Sequence, residues 1–185
     1  MQFRFVILSI TLVASTLAFP MSEGDEEKGM FGGHGNRIGF EFMKNLSEAA
    51  RNGLKTIHQN KDQTRAEEET AVADLFAGTT VTDDDKTAYN NIKTLAAAKE
   101  TEFTNAIDSA VAASTLTETQ KALYAACKTI FQNKSLTFKQ AKEDLKSTAE
   151  AADKLNAGDS KAVEELIKET IRTQIKADKS ETTSA

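Results

Sequence analysis

The chain has 185 residues, 39% of them hydrophobic, with 23 basic and 28 acidic side chains and a net charge of −5. That is the size of one domain with a core of its own. An acidic balance with both signs interspersed argues against nucleic acid or an anionic membrane as partner.

The chain opens Met1-Gln2-Phe3-Arg4 and then runs apolar over residues 5–17. This run has the length of a secretory leader and is too short to span a bilayer. Small Thr16 and Ala18 place cleavage after Ala18, so residues 1–18 are read as a signal peptide. The competing reading is an N-terminal membrane anchor. No later run approaches membrane-spanning length, so an exported, soluble chain without membrane insertion is expected. Residues 19–37 follow, with the single proline, Pro20, and with Gly24, Gly29, Gly32, Gly33 and Gly35. Their low apolar content predicts a flexible arm.

Helical spacing begins at Ile38. Ile38, Phe42, Leu46, Ala50, Leu54 and Ile57 recur every three or four residues, which predicts one helix along this run. A second helix is predicted from about Arg65 to Phe76, closed by a left-handed Gly78. Thr82 opens a long third helix, with Asp83, Asp84 and Asp85 at the positive end of its dipole. Its buried face is read as Ile92, Leu95, Ala96, Phe103, Ile107 and Val111. Three more helices are predicted, from about Glu118 to Gln132, from about Phe138 to Leu155 and from about Lys161 to Ile175. The whole is an all-α bundle of about six helices with no sheet, a single domain over residues 38–176 and a disordered polar tail over 177–185.

An internal echo organises these helices. Ile57-His58-Gln59-Asn60-Lys61-Asp62-Gln63-Thr64-Arg65-Ala66-Glu67 matches Ile130-Phe131-Gln132-Asn133-Lys134-Ser135-Leu136-Thr137-Phe138-Lys139-Gln140 at Ile, Gln, Asn, Lys and Thr. Each copy is a helix end, a turn and a helix start. Asn60 and Asn133 are expected to close a helix in the left-handed conformation. Thr64 and Thr137 are N-caps, with Glu67 and Gln140 completing capping boxes. Thr117 and Gln120 form a third box. Two helix–turn–helix hairpins joined by the long third helix are predicted.

With these residues in place, the chain resembles the SXP/RAL family of small secreted antigens and allergens of nematodes. The likeness covers roughly Phe42 to Ile175: a helix ending in Ile-x-x-Asn, a Thr-started helix, a long charged helix, then Leu-Thr-x-x-Gln at 116–120. The family often carries Trp in the helix after the first Thr turn; this chain has none, and Phe76 stands in that helix. The resemblance implies a helical fold with a calmodulin-like arrangement, a cation-binding domain and no enzyme activity.

Two readings of the turns compete. Counted as a calcium loop from Asn60, the oxygens are Asn60, Asp62, Thr64 and Glu68, but Arg65 stands where Gly is needed and Ala71 where Glu is needed. From Asn133 they are Asn133, Ser135 and Thr137, with Phe138 and Asp144 at those two positions. The plain reading is a pair of capped turns. The other is a weakly held divalent cation, magnesium or calcium, at Asn60, Asp62, Thr64 and Glu68. Asp83 to Asp85 is a rival acidic cluster, read first as a helix start.

Other chemistry is sparse. No Ser-His-acid or Cys-His arrangement, phosphate loop or dinucleotide fingerprint occurs, so no catalytic residue is assigned. His34 and His58 have no second nitrogen or sulfur at a zinc spacing. The single cysteine, Cys127, is read as a buried small hydrophobe, the alternative being a reactive or dimer-forming thiol. N-glycosylation acceptors occur at Asn45 and Asn133, the first mid-helix and the second in an exposed turn. The function expected is a secreted interaction protein that meets a host or self protein. The alternative is a secreted carrier of a small lipid, a fatty acid or retinol, in a pocket lined by Phe40, Phe42, Phe103, Phe131 and Phe138.

Overall fold

The computed structural model describes residues 42–182. The leader, the Gly-rich arm, His34, Ile38 and Phe40 lie outside them, as do residues 183–185. Six helices are described: α1 (Glu48–Gln59), α2 (Arg65–Ala77), α3 (Asp83–Ala113), α4 (Glu118–Gln132), α5 (Phe138–Leu155) and α6 (Asp159–Thr182). A helical turn over 42–45 precedes them. No strand is present among the described residues, and the fold is all-α as expected.

The first predicted helix is broken. Ser47 leaves the helical conformation at ψ 160°, and its side chain accepts a hydrogen bond from the Ala50 amide to start α1 anew. The four-residue spacing Phe42, Leu46, Ala50, Leu54 continues across the break, and all four are buried. Periodicity alone therefore cannot reveal it.

Residues expected as one helical domain gather into two compact units. The first comprises 42–99 with 134–139, as far as they are described. Its core is Phe42, Leu46, Ala50, Leu54, Val72, Phe76, Val81 and Ile92, with Leu75, Ala88 and Tyr89 packed against it. Phe76 stacks on Tyr89 with ring centres 4.4 Å apart and meets Phe42 at 6.3 Å. Leu95, placed on the buried face from its spacing, is instead 41% exposed. The second unit comprises 100–133 with the described residues from 140 onward. It buries Phe103, Ile107, Val111, Leu123, Cys127, Phe131, Leu145, Val163, Ile167 and Ile171.

Gly53 shows why α1 tolerates a poor helix former. A Cβ there would lie 2.6 Å from Cδ1 of Leu75 on α2. Glycine at mid-helix costs about 1 kcal/mol against alanine, and here it lets Leu75 settle on the α1 backbone. Gly53→Leu is expected to lower stability by about 2 kcal/mol through overpacking, despite leucine's better helix propensity. Urea denaturation checks this.

Two helix ends differ from expectation. Gly78 closes α2 with φ −68°, not left-handed, its amide donating to Asp74 and Leu75 carbonyls. Among the described glycines the positive φ falls at Gly158, at 97°, between α5 and α6. The last helix runs to Thr182, past the Ile175 end marked by its final apolar residue.

Candidate cation-binding turns

Both turns begin where a helix runs out of carbonyl partners. Asn60 closes α1 with φ −77° and ψ 96°; Asn133 closes α4 with φ −75° and ψ 90°. The repeat is thus real in backbone geometry, but neither asparagine is left-handed. The reason at the first turn is that side chains take up the last carbonyls. Gln63 Nε2 donates to Ile57 O at 2.8 Å, and Lys61 Nζ donates to His58 O at 2.7 Å. With those acceptors satisfied, no left-handed residue is required.

The two turns pair with each other inside the first unit. Thr64 and Thr137, equivalent positions of the repeat, form an isolated antiparallel bridge. The Arg65 amide donates to Leu136 O at 3.2 Å, and the Ala66 amide donates to Lys134 O at 3.0 Å. Thr64 Oγ accepts from the Glu67 amide, and Thr64 O accepts from the Glu68 amide. Each of the four amides that open α2 therefore has an acceptor, two of them supplied by the second turn. Lys134 Nζ adds an ion pair to Glu69 at 2.8 Å.

The four cation candidates are unequally placed. Asn60 Oδ1 accepts from the Asp62 amide at 3.3 Å. Thr64 is the N-cap of a complete capping box, its hydroxyl donating to Glu67 Oε2 at 2.8 Å. The Thr64 amide, donating to the same carboxylate, holds the Glu67 acid below its ordinary range. Glu68 faces inward and pairs with His58 Nδ1. Asp62 is exposed. An all-oxygen set suits a hard cation such as magnesium or calcium, yet Asn60, Thr64 and Glu68 each already have a partner, and of the four only the Asp62 carboxylate has none among the described residues. No group of three or more His, Cys, Asp or Glu that could hold a metal occurs among the described residues. The donor chemistry fits a divalent ion; the number of donors fits one that keeps most of its water.

A family model described as SXP/RAL-2 family protein Ani s 5-like, metal-binding domain, matches residues 1–178. The chain belongs to the SXP/RAL-2 family. No curated protein and no solved structure matches it.

The rival acidic cluster of this SXP/RAL-2 chain is structural at its centre. Asp85 is 2% exposed. It accepts from the Ser47 amide at 2.8 Å, the Ser47 hydroxyl at 2.7 Å and the Thr82 amide at 2.9 Å. Burial pushes its carboxyl up, but the Ser47 and Thr82 donors outweigh it and bring the pKa down to about 2. Asp83 is exposed and contacts Lys86.

From a helix start upstream of each copy, a long-range contact also reaches a second helix start. Ser47 and Gln120 each stand ten residues before the Ile that opens a copy. As Ser47 grips Asp85 at the start of α3, Gln120 Nε2 donates to Asp159 Oδ1 at 2.9 Å at the start of α6. Each contact ties the start of one helix to the start of another, α1 to α3 and α4 to α6.

Further sites lie in the second unit. Asp108 on α3 accepts from Tyr124 OH at 2.7 Å and from Lys128 Nζ at 2.6 and 2.8 Å. Tyr124 and Lys128 are one turn apart on α4, so one carboxylate clamps two helices. Burial pushes the Tyr124 hydroxyl up, and Asp108 pushes it further. Sequence reasoning passed over this cluster because its members are scattered. Cys127 is fully buried, and burial raises its thiol to about 11, so it stays protonated at neutral pH as a packing residue.

The phenylalanines of the lipid-pocket reading divide between the units. Phe42 is spent on Phe76, Phe103 and Phe131 are buried in the second unit, and Phe138 is partly exposed. The glycosylation acceptors are both exposed. Asn45 is not mid-helix as expected but ends the short helical turn before Ser47. No helix among the described residues is long and apolar enough to cross a membrane.

Proposed function

We propose that this SXP/RAL-2 protein is an exported, non-enzymatic helical module that meets a host or self protein, and that its first turn takes up a divalent cation weakly. The supporting observation is the exposed carboxylate of Asp62 beside Asn60, on a turn of a chain matched by a family model named for metal binding. Export is supported by the leader-like residues 1–18. The absence of a catalytic constellation in the sequence supports a binding role.

Occupancy should involve Asp62 and Asn60 with water completing the shell, because the His58 pair holds Glu68. Calorimetry with calcium and with magnesium should give dissociation constants of roughly 1 mM, the weak end of the range for oxygen sites. Asp62→Ala should abolish the heat, and Glu68→Gln should leave it unchanged. Tight binding that survives Asp62→Ala would remove the first turn from consideration.

A further inference from the structure

We propose that Asn133 carries an N-linked oligosaccharide, so that the second turn of the repeat is a modification site while the first is left for the cation. The inference rests on the reading that the chain is exported. Asn133-Lys134-Ser135 and Asn45-Leu46-Ser47 both satisfy the acceptor pattern, and the fold separates them.

At Asn133 the finished fold leaves room for a bulky group. Gln132, Asn133, Lys134 and Ser135 form a run of four exposed residues at the end of α4. The Asn133 amide donates to the Thr129 and Ile130 carbonyls, which fixes its backbone at the helix end. The next residue, Lys134, is anchored by its carbonyl to the Ala66 amide and by Nζ to Glu69. A sugar on Nδ2 leaves these backbone bonds and the Lys134 ion pair in place.

At Asn45 the fold uses the neighbours of the acceptor. Leu46 is 4% exposed and belongs to the core, and Phe42, one turn earlier, is buried beside it. Ser47 is held by its hydroxyl and its amide to Asp85. Asn45 itself is exposed, but a glycan there stands directly beside side chains the first unit must bury.

The chemistry is a group transfer onto the unfolded sequon from a polyprenyl-diphosphate-linked oligosaccharide. Asn133 Nδ2 forms a bond to the anomeric carbon of the first sugar. The bond from that carbon to the diphosphate oxygen breaks, the lipid diphosphate leaves, and the amide proton lost from Nδ2 passes to the medium. No electrons change hands. The product turn is barred to a cation at Asn133, Ser135 and Thr137.

The test is secretion of the full chain, with its own leader, from insect cells. Protein from the medium is treated with peptide N-glycosidase in heavy-oxygen water, which turns a sugar-bearing asparagine into labelled aspartate. Peptide mass spectrometry is expected to find the label at residue 133. The label should vanish in Ser135→Ala, persist in Ser135→Thr and persist in Asn45→Gln, with unchanged circular dichroism in all three. An exported, leader-cleaved chain with a bare Asn133, or with label at Asn45 alone, overturns the proposal and leaves the export reading standing. A chain retained in the cell with residues 1–18 attached overturns both.

Discussion

Phe76→Ala is expected to destabilise the first unit by about 4 kcal/mol, the loss typical of a buried phenylalanine truncated in a well-packed core. Phe76 is buried, stacks on Tyr89 and packs against Phe42, so its removal opens a cavity and breaks two ring contacts. The stacking alone contributes on the order of 1 kcal/mol. Urea titration should show the midpoint fall by roughly 2 M at an ordinary slope. The reporter is built in. The chain has no tryptophan and two tyrosines, Tyr89 in the first unit and Tyr124 in the second. Fluorescence in a Tyr124→Phe background therefore follows the first unit alone. Phe76→Leu should recover most of the loss. If Phe76→Ala leaves the Tyr89 transition in place, the ring does not organise this core.

The second large effect is predicted at Asp85. Asp85→Ala deprives the Ser47 amide, the Ser47 hydroxyl and the Thr82 amide of a charged acceptor in a buried place. Such losses cost about 3 kcal/mol together, since donors left behind still bear their desolvation. The same carboxylate makes stability depend on acid. Its folded pKa of about 2 lies below its unfolded value, so it binds its proton less readily in the native state. Its contribution is fully present above the unfolded value of about 4 and is lost as pH falls through the folded value. The linked stability is roughly 2 kcal/mol. Asp108 and Asp153, also held low, act in the same direction. Denaturation measured at several pH values down to acid should give a shallower loss in Asp85→Asn than in the native chain. Equal slopes would show that Asp85 is not the acid-sensitive clasp.

Much of the architecture is legible in the residues. Helices α2 to α5 begin where Thr64, Thr82, Thr117 and Thr137 place them, because a hydroxyl followed three residues later by Glu, Asp or Gln marks a helix start by itself. The burial of Cys127 follows from its place on an apolar face. What stayed hidden depends on contacts distant in sequence. The break at Ser47 is masked by an unbroken apolar period and held by a carboxylate 38 residues away. The pairing of the two turns rests on backbone carbonyls and amides, which every residue has, so no side chain announces it. His58 reads as a favourable cation at a helix end, while its actual neighbour Glu68 sits across the turn on α2. The first-turn cation candidates are legible as oxygens, but not the competition for three of them.

The bond from the Ala66 amide to Lys134 has a consequence for how the chain is made. The first unit borrows residues 134–139 from far downstream. As the chain leaves the ribosome, α1, α2 and the start of α3 emerge long before that segment exists. The Arg65 and Ala66 amides of α2 must stay hydrated until synthesis has passed Leu136. The earlier half is then not a self-sufficient piece of polypeptide, and cutting the chain between α3 and α4 takes from it the acceptors of the Arg65 and Ala66 amides.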